Sequence, residues 1–302
     1  MSRFTWMSSA VLATVAGCGS SQTNSPDAAP DHAEQLAGLW HYDLPDLETG
    51  RNVATLRCPV PGGGERRMTL PQIGSLALRR TAPDRLEGTT DQGCTWLFEV
   101  TGNTAELSPA GQSCHNQVFD LSYTIDRWTF TQDGERGSER LTATSHNPGG
   151  DCAFELADGS RSRVPAGGGD LAAPLAGTWI HAAPDPISGL NVAQVVCPAE
   201  GAPPVVSYEP VIGAITLTRT GDTSLDAEDA SGCSFTLDVQ GGMAALSPAP
   251  QTCARPDGTS LRLSFWTFAI ESGRAFEILS ATRKQATDTC AYVLAAGTLV
   301  RP

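Results

Sequence analysis

The stretch "GCTWLFEVTGNTAELSPAGQSC" at residues 93–114 returns at 232–253 as "GCSFTLDVQGGMAALSPAPQTC", with the same 20-residue step between its cysteines. A shift of 139 residues also lays "LAGLW" (36–40) over "LAGTW" (175–179), and Cys58 over Cys197. After one deleted residue the shift becomes 138, placing Cys152 over Cys290 and Arg163 over Arg301. Roughly two residues in five are identical across the first two cysteine intervals, and a unit this long is a duplicated domain rather than a solenoid repeat. "PAGGGDLAAP" at 165–174 reads as a Gly/Pro linker. The chain therefore divides into repeat 1 at 36–164 and repeat 2 at 175–302.

Within the repeated stretch, Cys94, Trp96, Phe98 and Val100 alternate with Thr95, Leu97 and Glu99, and Cys233, Phe235, Leu237 and Val239 with Ser234, Thr236 and Asp238. A period of two marks a half-buried strand. Gly102-Asn103 and Gly241-Gly242 then give tight turns, and "TAEL" and "MAAL" return as partner strands. "LAGLWHYDL", "VATLRCPV", "GSLALRR", "LSYTIDRWTFTQ", "ERLTATS" and "CAFEL" complete about eight short strands, with no amphipathic helix. The expected class is all-β: two tandem antiparallel meanders, each an eight-stranded barrel or else a β-sandwich.

The chain has nine cysteines, one near the N-terminus and four in each repeat. Long spacings without a CxxC pair speak against zinc, and two sets of four suit an oxidising compartment. Four cysteines allow three pairings. The hairpin register favours one: Cys94 lies opposite residue 111, three short of Cys114, and Cys233 lies three short of Cys253. Cys58 would then join Cys152, and Cys197 join Cys290, tying an early strand to the last one and helping to lock the sheet closed.

The N-terminus "MSRFTWMSSAVLATVAGC" has a charge at Arg3, a short apolar run and small residues before Cys18. The run is too short for an ordinary transmembrane helix and fits a secretory signal. Its end, "VAGC", resembles a bacterial lipobox. The resemblance implies cleavage after residue 17, a lipid-anchored Cys18 carrying acyl chains, and a cell-envelope location. Gly19 in place of Asp favours the outer membrane by the same resemblance. Residues 18–35, polar and rich in Ser, Pro and Asp, read as a flexible tether.

The GxW near the start of each repeat and the arginine near its end resemble the calycin pattern of lipocalins and avidin-like barrels. That resemblance implies that Arg163 packs across Trp40, and Arg301 across Trp179, at the closed end of a barrel. The whole repeat also resembles tandem β-rich domains of uncharacterised bacterial lipoproteins.

The net charge of −13, with Lys284 the only lysine, disfavours nucleic acid as a partner. His32, His41, His115, His146 and His181 do not align between repeats, and no HExxH, GxSxG or GKS/GKT phosphate-loop motif is present. "GGGERR" at 62–67 reads as a flexible turn. Asp226, Glu228 and Asp229, matched only by Glu87 and Asp91, read as a solvated acidic loop rather than a calcium site. The sequence thus names no catalytic, metal or cofactor residues. It points to a non-enzymatic envelope lipoprotein serving as a structural or interaction module, partnered by the bilayer and by an envelope protein. The rivals are a carrier of a small apolar ligand and a periplasmic proteinase inhibitor. Trp96, Phe98, Tyr123 and Phe154, expected to point inward, leave a carrier little room.

Overall fold

A computed structural model of the chain describes residues 31–60, 62–116, 119–146, 150–167, 169–255, 258–285 and 288–302. The expected signal peptide and Cys18 lie outside these residues.

Repeat 1 runs through a short helix α1 (His32–Leu36) and strands β1 (Gly38–Tyr42), β2 (Val53–Pro59), β3 (Glu65–Pro71), β4 (Ser75–Ala82), β5 (Arg85–Thr90), β6 (Thr95–Thr101), β7 (Thr104–Leu107), β8 (Gln112–Asn116), β9 (Leu121–Asp133), β10 (Arg136–His146) and β11 (Cys152–Arg163). Repeat 2 has β12 (Gly177–His181), β13 (Val192–Ala199), β14 (Ala202–Pro210), β15 (Ala214–Gly221), β16 (Ser224–Glu228), β17 (Ser234–Gln240), β18 (Met243–Leu246), β19 (Gln251–Ala254), β20 (Ser260–Glu271), β21 (Arg274–Gln285) and β22 (Asp288–Val300).

In the first repeat β1, β4, β5, β6, β7, β9, β10 and β11 pair in that order, and β11 returns to β1 at Trp40↔Arg163. The second ring follows the same order from β12 to β22 and closes at Ile180↔Val300. Each repeat is a closed, eight-stranded antiparallel barrel, and closure rules out the sandwich.

The eight ring strands are not quite the eight read from sequence. β5 was expected to be loop, because its apolar alternation is interrupted at Gly88. Yet Leu86 is buried, and Gly88 points inward to make room: a Cβ there would stand 2.8 Å from the Phe98 ring. Ala227 fills the same place in repeat 2 and is fully buried. "VATLRCPV", expected in the ring, is β2. It pairs with the early part of β11 and carries β3 away from the barrel as a hairpin. "GGGERR" accordingly splits: its glycines form the turn, while Glu65, Arg66 and Arg67 belong to β3.

All four disulfides follow the strand register. Cys58 faces Cys152 across β2 and β11 with Cα atoms 4.3 Å apart, and Cys197–Cys290 repeats this. These bonds clamp the β2–β3 and β13–β14 hairpins to the last ring strand. Closure itself is made by backbone pairing, because β11 gives its far end to β1. Cys94–Cys114 and Cys233–Cys253 span the repeated hairpin. The "SPAGQ" or "SPAPQ" segment between them interrupts the strand rather than merely turning back. β7 and β8 both pair with β9, in line, on either side of it. Across the break, the Gln112 side-chain amide takes the place of a backbone: it accepts from Leu97 N and donates to Leu97 O, both at 2.9 Å. Gln251 does the same for Thr236. The recurrent glutamine therefore supplies the hydrogen bonds that the irregular segment would otherwise leave unmade.

Aromatic side chains fill the axes. Trp40 meets Phe130 edge-on at 5.0 Å and Phe98 meets Trp128 at 5.2 Å; in the second barrel Phe235 meets Trp266 at 5.7 Å. Residues 31–35, expected in the tether, instead belong to the fold. Asp31 caps α1 by accepting from Glu34 N, and Ala33 and Leu36 are buried in the first core. The end of the expected linker likewise plugs the second barrel through Ala172, beside Leu175.

A third apolar cluster joins the barrels: Leu44 and Ile73 from repeat 1 meet Met243, Ala269 and Phe276 from repeat 2. The matching positions in repeat 1 hold Thr104, Thr131 and Ser138. Replacing Met243 by Thr and Phe276 by Ser should remove up to about 3–5 kcal/mol of packing for the phenylalanine alone. Calorimetry should then show two separated unfolding transitions where the wild type couples its barrels more tightly.

Candidate functional site

A buried carboxylate lies in each barrel, where nothing apolar would demand one. Glu139 and Glu277 point inward from β10 and β21 and are almost fully enclosed. A buried charge persists only when paired and hydrogen-bonded. Glu139 accepts from Arg161 Nε at 2.8 Å and Trp128 Nε1 at 3.2 Å. Arg161 also reaches the Gly74 carbonyl and lies over the Tyr42 ring, 3.4 Å from its centroid. Burial first, and Glu139 beside it, push the Tyr42 phenol well above its ordinary pKa.

Repeat 2 keeps the carboxylate and the indole but changes the cation. Trp266 Nε1 donates to Glu277 at 2.7 Å. Leu299 replaces the arginine, and His181, standing where Tyr42 stands, takes over. Its Nε2 is 2.6 Å from Glu277 and its Nδ1 is 3.1 Å from the Gly213 carbonyl, the counterpart of Gly74. Both ring nitrogens face acceptors, so the doubly protonated imidazolium fits this pocket. Burial pushes the His181 pKa down, but the hydrogen bond and charge of Glu277, with the Gly213 carbonyl, outweigh it, and the net shift is upward from 6.5. Gly297 makes room: a Cβ there would meet Glu277 Cγ at 2.3 Å. This ionic core was missed in the sequence because its cations do not align. The signal was available in the Trp–Glu pair, which recurs with the same spacing in both repeats.

The second feature is the closed end. Trp40 Nε1 donates to Leu36 O, and Trp179 Nε1 to Leu175 O, each at 3.0 Å. Arg163 lies 4.3 Å from the Trp40 ring and Arg301 4.7 Å from the Trp179 ring. Arg163 also donates to the Ala37 and Gln35 carbonyls, and Arg301 to those of Pro174 and Ala176. Arg163 has Glu135 at 3.4 Å, whereas Gly273 stands at that place in repeat 2. A depression opens beside the arginine in both repeats: beside Arg163 it is lined by Gln35, Asn103, Gln132 and Asp133, whereas beside Arg301 a groove of about 340 Å³ is floored by Leu171, Leu175, Trp179 and Ile270.

The remaining sequence candidates scatter. His32 opens α1. His41 is buried on β1, where burial and then Arg161 lower its pKa to about 4. His115 bonds Ser122. His146 bonds Thr124 and Asp151, and Thr124 bonds Ser113. This row of carboxylate, imidazole and hydroxyls is exposed on the outer sheet, where water competes for each member, and it reads as cross-strand pairing. Glu87, Asp226 and Glu228 sit on strands rather than in an acidic loop, and Glu87 is bonded to Arg79. Asp229 holds the turn before Cys233 by accepting from Ser231 N and Cys233 N. Asp91 accepts from Ser75 N. Among the described residues no group of three or more His, Cys, Asp or Glu could hold a metal ion.

No protein-family model matches the chain, and no curated protein matches it in sequence. Among the solved structures that resemble it, two are 10% identical to it. One is a candidate outer membrane protein from Bacteroides fragilis, with TM-score 0.28, covering 90% of this chain and 99% of that one. The other is a protein of unknown function from the DUF3598 family of Nostoc punctiforme, with TM-score 0.23, covering 92% and 100%. The fold assignment rests on the strand pairing described above.

Two outcomes test the ionic cores. Arg161→Leu should strand Glu139 and destabilise the first barrel by about 3–5 kcal/mol. Adding Tyr42→His, which rebuilds the repeat 2 arrangement, should restore part of that loss in denaturant titrations. His181, whose folded pKa is raised, contributes stability that is full below 6.5 and is lost as pH rises through the folded pKa. Wild-type stability should therefore fall on that alkaline limb with a slope approaching ~1.4 kcal/mol per pH unit, and His181→Gln should lack the slope.

Proposed function

We propose that this chain is a non-enzymatic, lipid-anchored protein of the cell envelope, serving as a structural or interaction module. The observation that carries the reading is the filling of both barrels. Aromatic side chains occupy their axes, and each buried carboxylate is spent on a neighbouring cation and indole rather than held free for chemistry. What remains to meet a partner is the outer surface. Four disulfides suit an oxidising compartment. The lipobox-like "VAGC" supplies the anchor, with the outer membrane favoured by Gly19.

One observation favours the carrier alternative in an altered form. The groove beside Arg301 is apolar-floored and near the small end of the usual range for ligand sites. A small apolar ligand would sit there, outside the closed end, rather than in the barrel interior.

Mass spectrometry of the protein from its native host should find an acylated Cys18 at the mature N-terminus. Cys18→Ala should move the protein from the membrane to the soluble fraction. An unmodified N-terminus starting at Met1 would overturn the anchored reading.

A further inference from the structure

The outermost strand of the second sheet, β14, is unlike its counterpart. Among the described residues each of the two strands pairs only with its hairpin partner, but in β14 every residue from Ala202 to Tyr208 is exposed. Val205, Val206 and Tyr208 keep 60%, 49% and 53% of their surface in water. The matching strand of the first sheet, β3, places Glu65, Arg66 and Arg67 where β14 has Pro204, Val205 and Val206. Charges on an edge strand are the usual protection against pairing with another chain. Repeat 1 has that protection; repeat 2 has an uncharged, β-branched strip, "PPVVSY", in a chain of net charge −13.

The edge has a defined length. Val211 N donates to Asn191 O, on the β13 side. Because N–H direction alternates along a strand, Val205 and Ser207 also turn toward β13, and Val206 and Tyr208 turn their N–H and C=O outward. The next outward positions are Pro204 and Pro210, which have no N–H to give. The open ladder is thus two residues long and centred on Ser207. Such a segment is self-complementary about a two-fold axis: Val206 of each copy meets Tyr208 of the other, making four backbone hydrogen bonds.

The geometry points to β14 as the interface of a two-fold homodimer, formed by antiparallel pairing of this strand with its copy in a second molecule. The like-charge repulsion expected of two acidic chains is least along this uncharged strip. The contact also continues the interface between the barrels, because Arg66 already lies over the Tyr208 ring at 5.3 Å. An isologous contact uses up the edge on both copies, and the prolines limit its extension, so assembly stops at the dimer. This inference does not depend on the lipid anchor.

The test uses residues 19–302, which contain the whole described fold, made under oxidising conditions. Sedimentation equilibrium across a concentration series should show the mass rising to twice that of the monomer. Hydrogen exchange should show the Val206 and Tyr208 amides gaining protection with concentration. Val206→Pro removes an outward N–H without taking a donor from the β13 side, and Val206→Lys adds a charge at the seam while keeping the backbone unchanged. Both should keep the wild-type melting temperature at low concentration and remain monomeric throughout. A wild type that stays monomeric, an assembly larger than two, or a dimer that both variants leave intact would overturn the proposal.

Discussion

Each barrel depends on the meeting of its first and last strands. At Trp40↔Arg163 the chain's two ends of repeat 1 become neighbours, and the guanidinium lies across the indole while holding carbonyls of the preceding plug. Trp179 and Arg301 do the same in repeat 2. A stacked cation with its donors engaged by carbonyls is a rigid clasp, because the planar guanidinium is already organised for both contacts. Once the ring is closed at eight strands, its bore is narrow enough for side chains to fill. The aromatic axis and the plug beneath it both follow from that closure.

Within the same ring the two repeats solve one problem in different ways. Burying a carboxylate against an indole requires a cation, and repeat 1 uses the permanently charged Arg161. Repeat 2 uses His181, which titrates. The carbonyl that steadies the cation is the same backbone position in both, Gly74 or Gly213. The frame was therefore kept while the chemistry of one partner changed: Arg161 holds its charge, whereas His181 can release its proton.

Their outer surfaces have diverged further. Met243, Ala269 and Phe276 face outward from repeat 2 but are covered by Leu44 and Ile73 of repeat 1. Their counterparts in repeat 1 are polar, and Thr104 and Thr131 bond each other across the strands. The same contrast separates the charged β3 from the apolar β14. Surface positions are freed from the packing constraints that keep the cores alike, and so it is there that two copies of one fold can acquire separate tasks.

Duplication, strand period and hairpin register were legible in the residues because they depend on local alternation and on spacing along the chain. Cys94 and Cys233 are the first inward residues of a strand whose turn is fixed by Gly102-Asn103 or Gly241-Gly242, so the approach of Cys114 and Cys253 follows from counting. Tertiary packing decided the rest. β5 looked like loop because Gly88 carries no side chain, and only the Phe98 ring beside it explains why an inward position is empty. Residues 31–35 looked like tether because two buried residues, Ala33 and Leu36, leave too short a pattern to register as a helix. The ionic cores were hidden because Arg161 and His181 reach one carboxylate from different strands. By itself, the sequence determined what repeats, which residues alternate and where the hairpins turn; which strand closes the ring, Trp40 against Arg163, and which cation meets each buried glutamate, from 22 positions away for Arg161 and 96 for His181, depend on contacts that only folding makes.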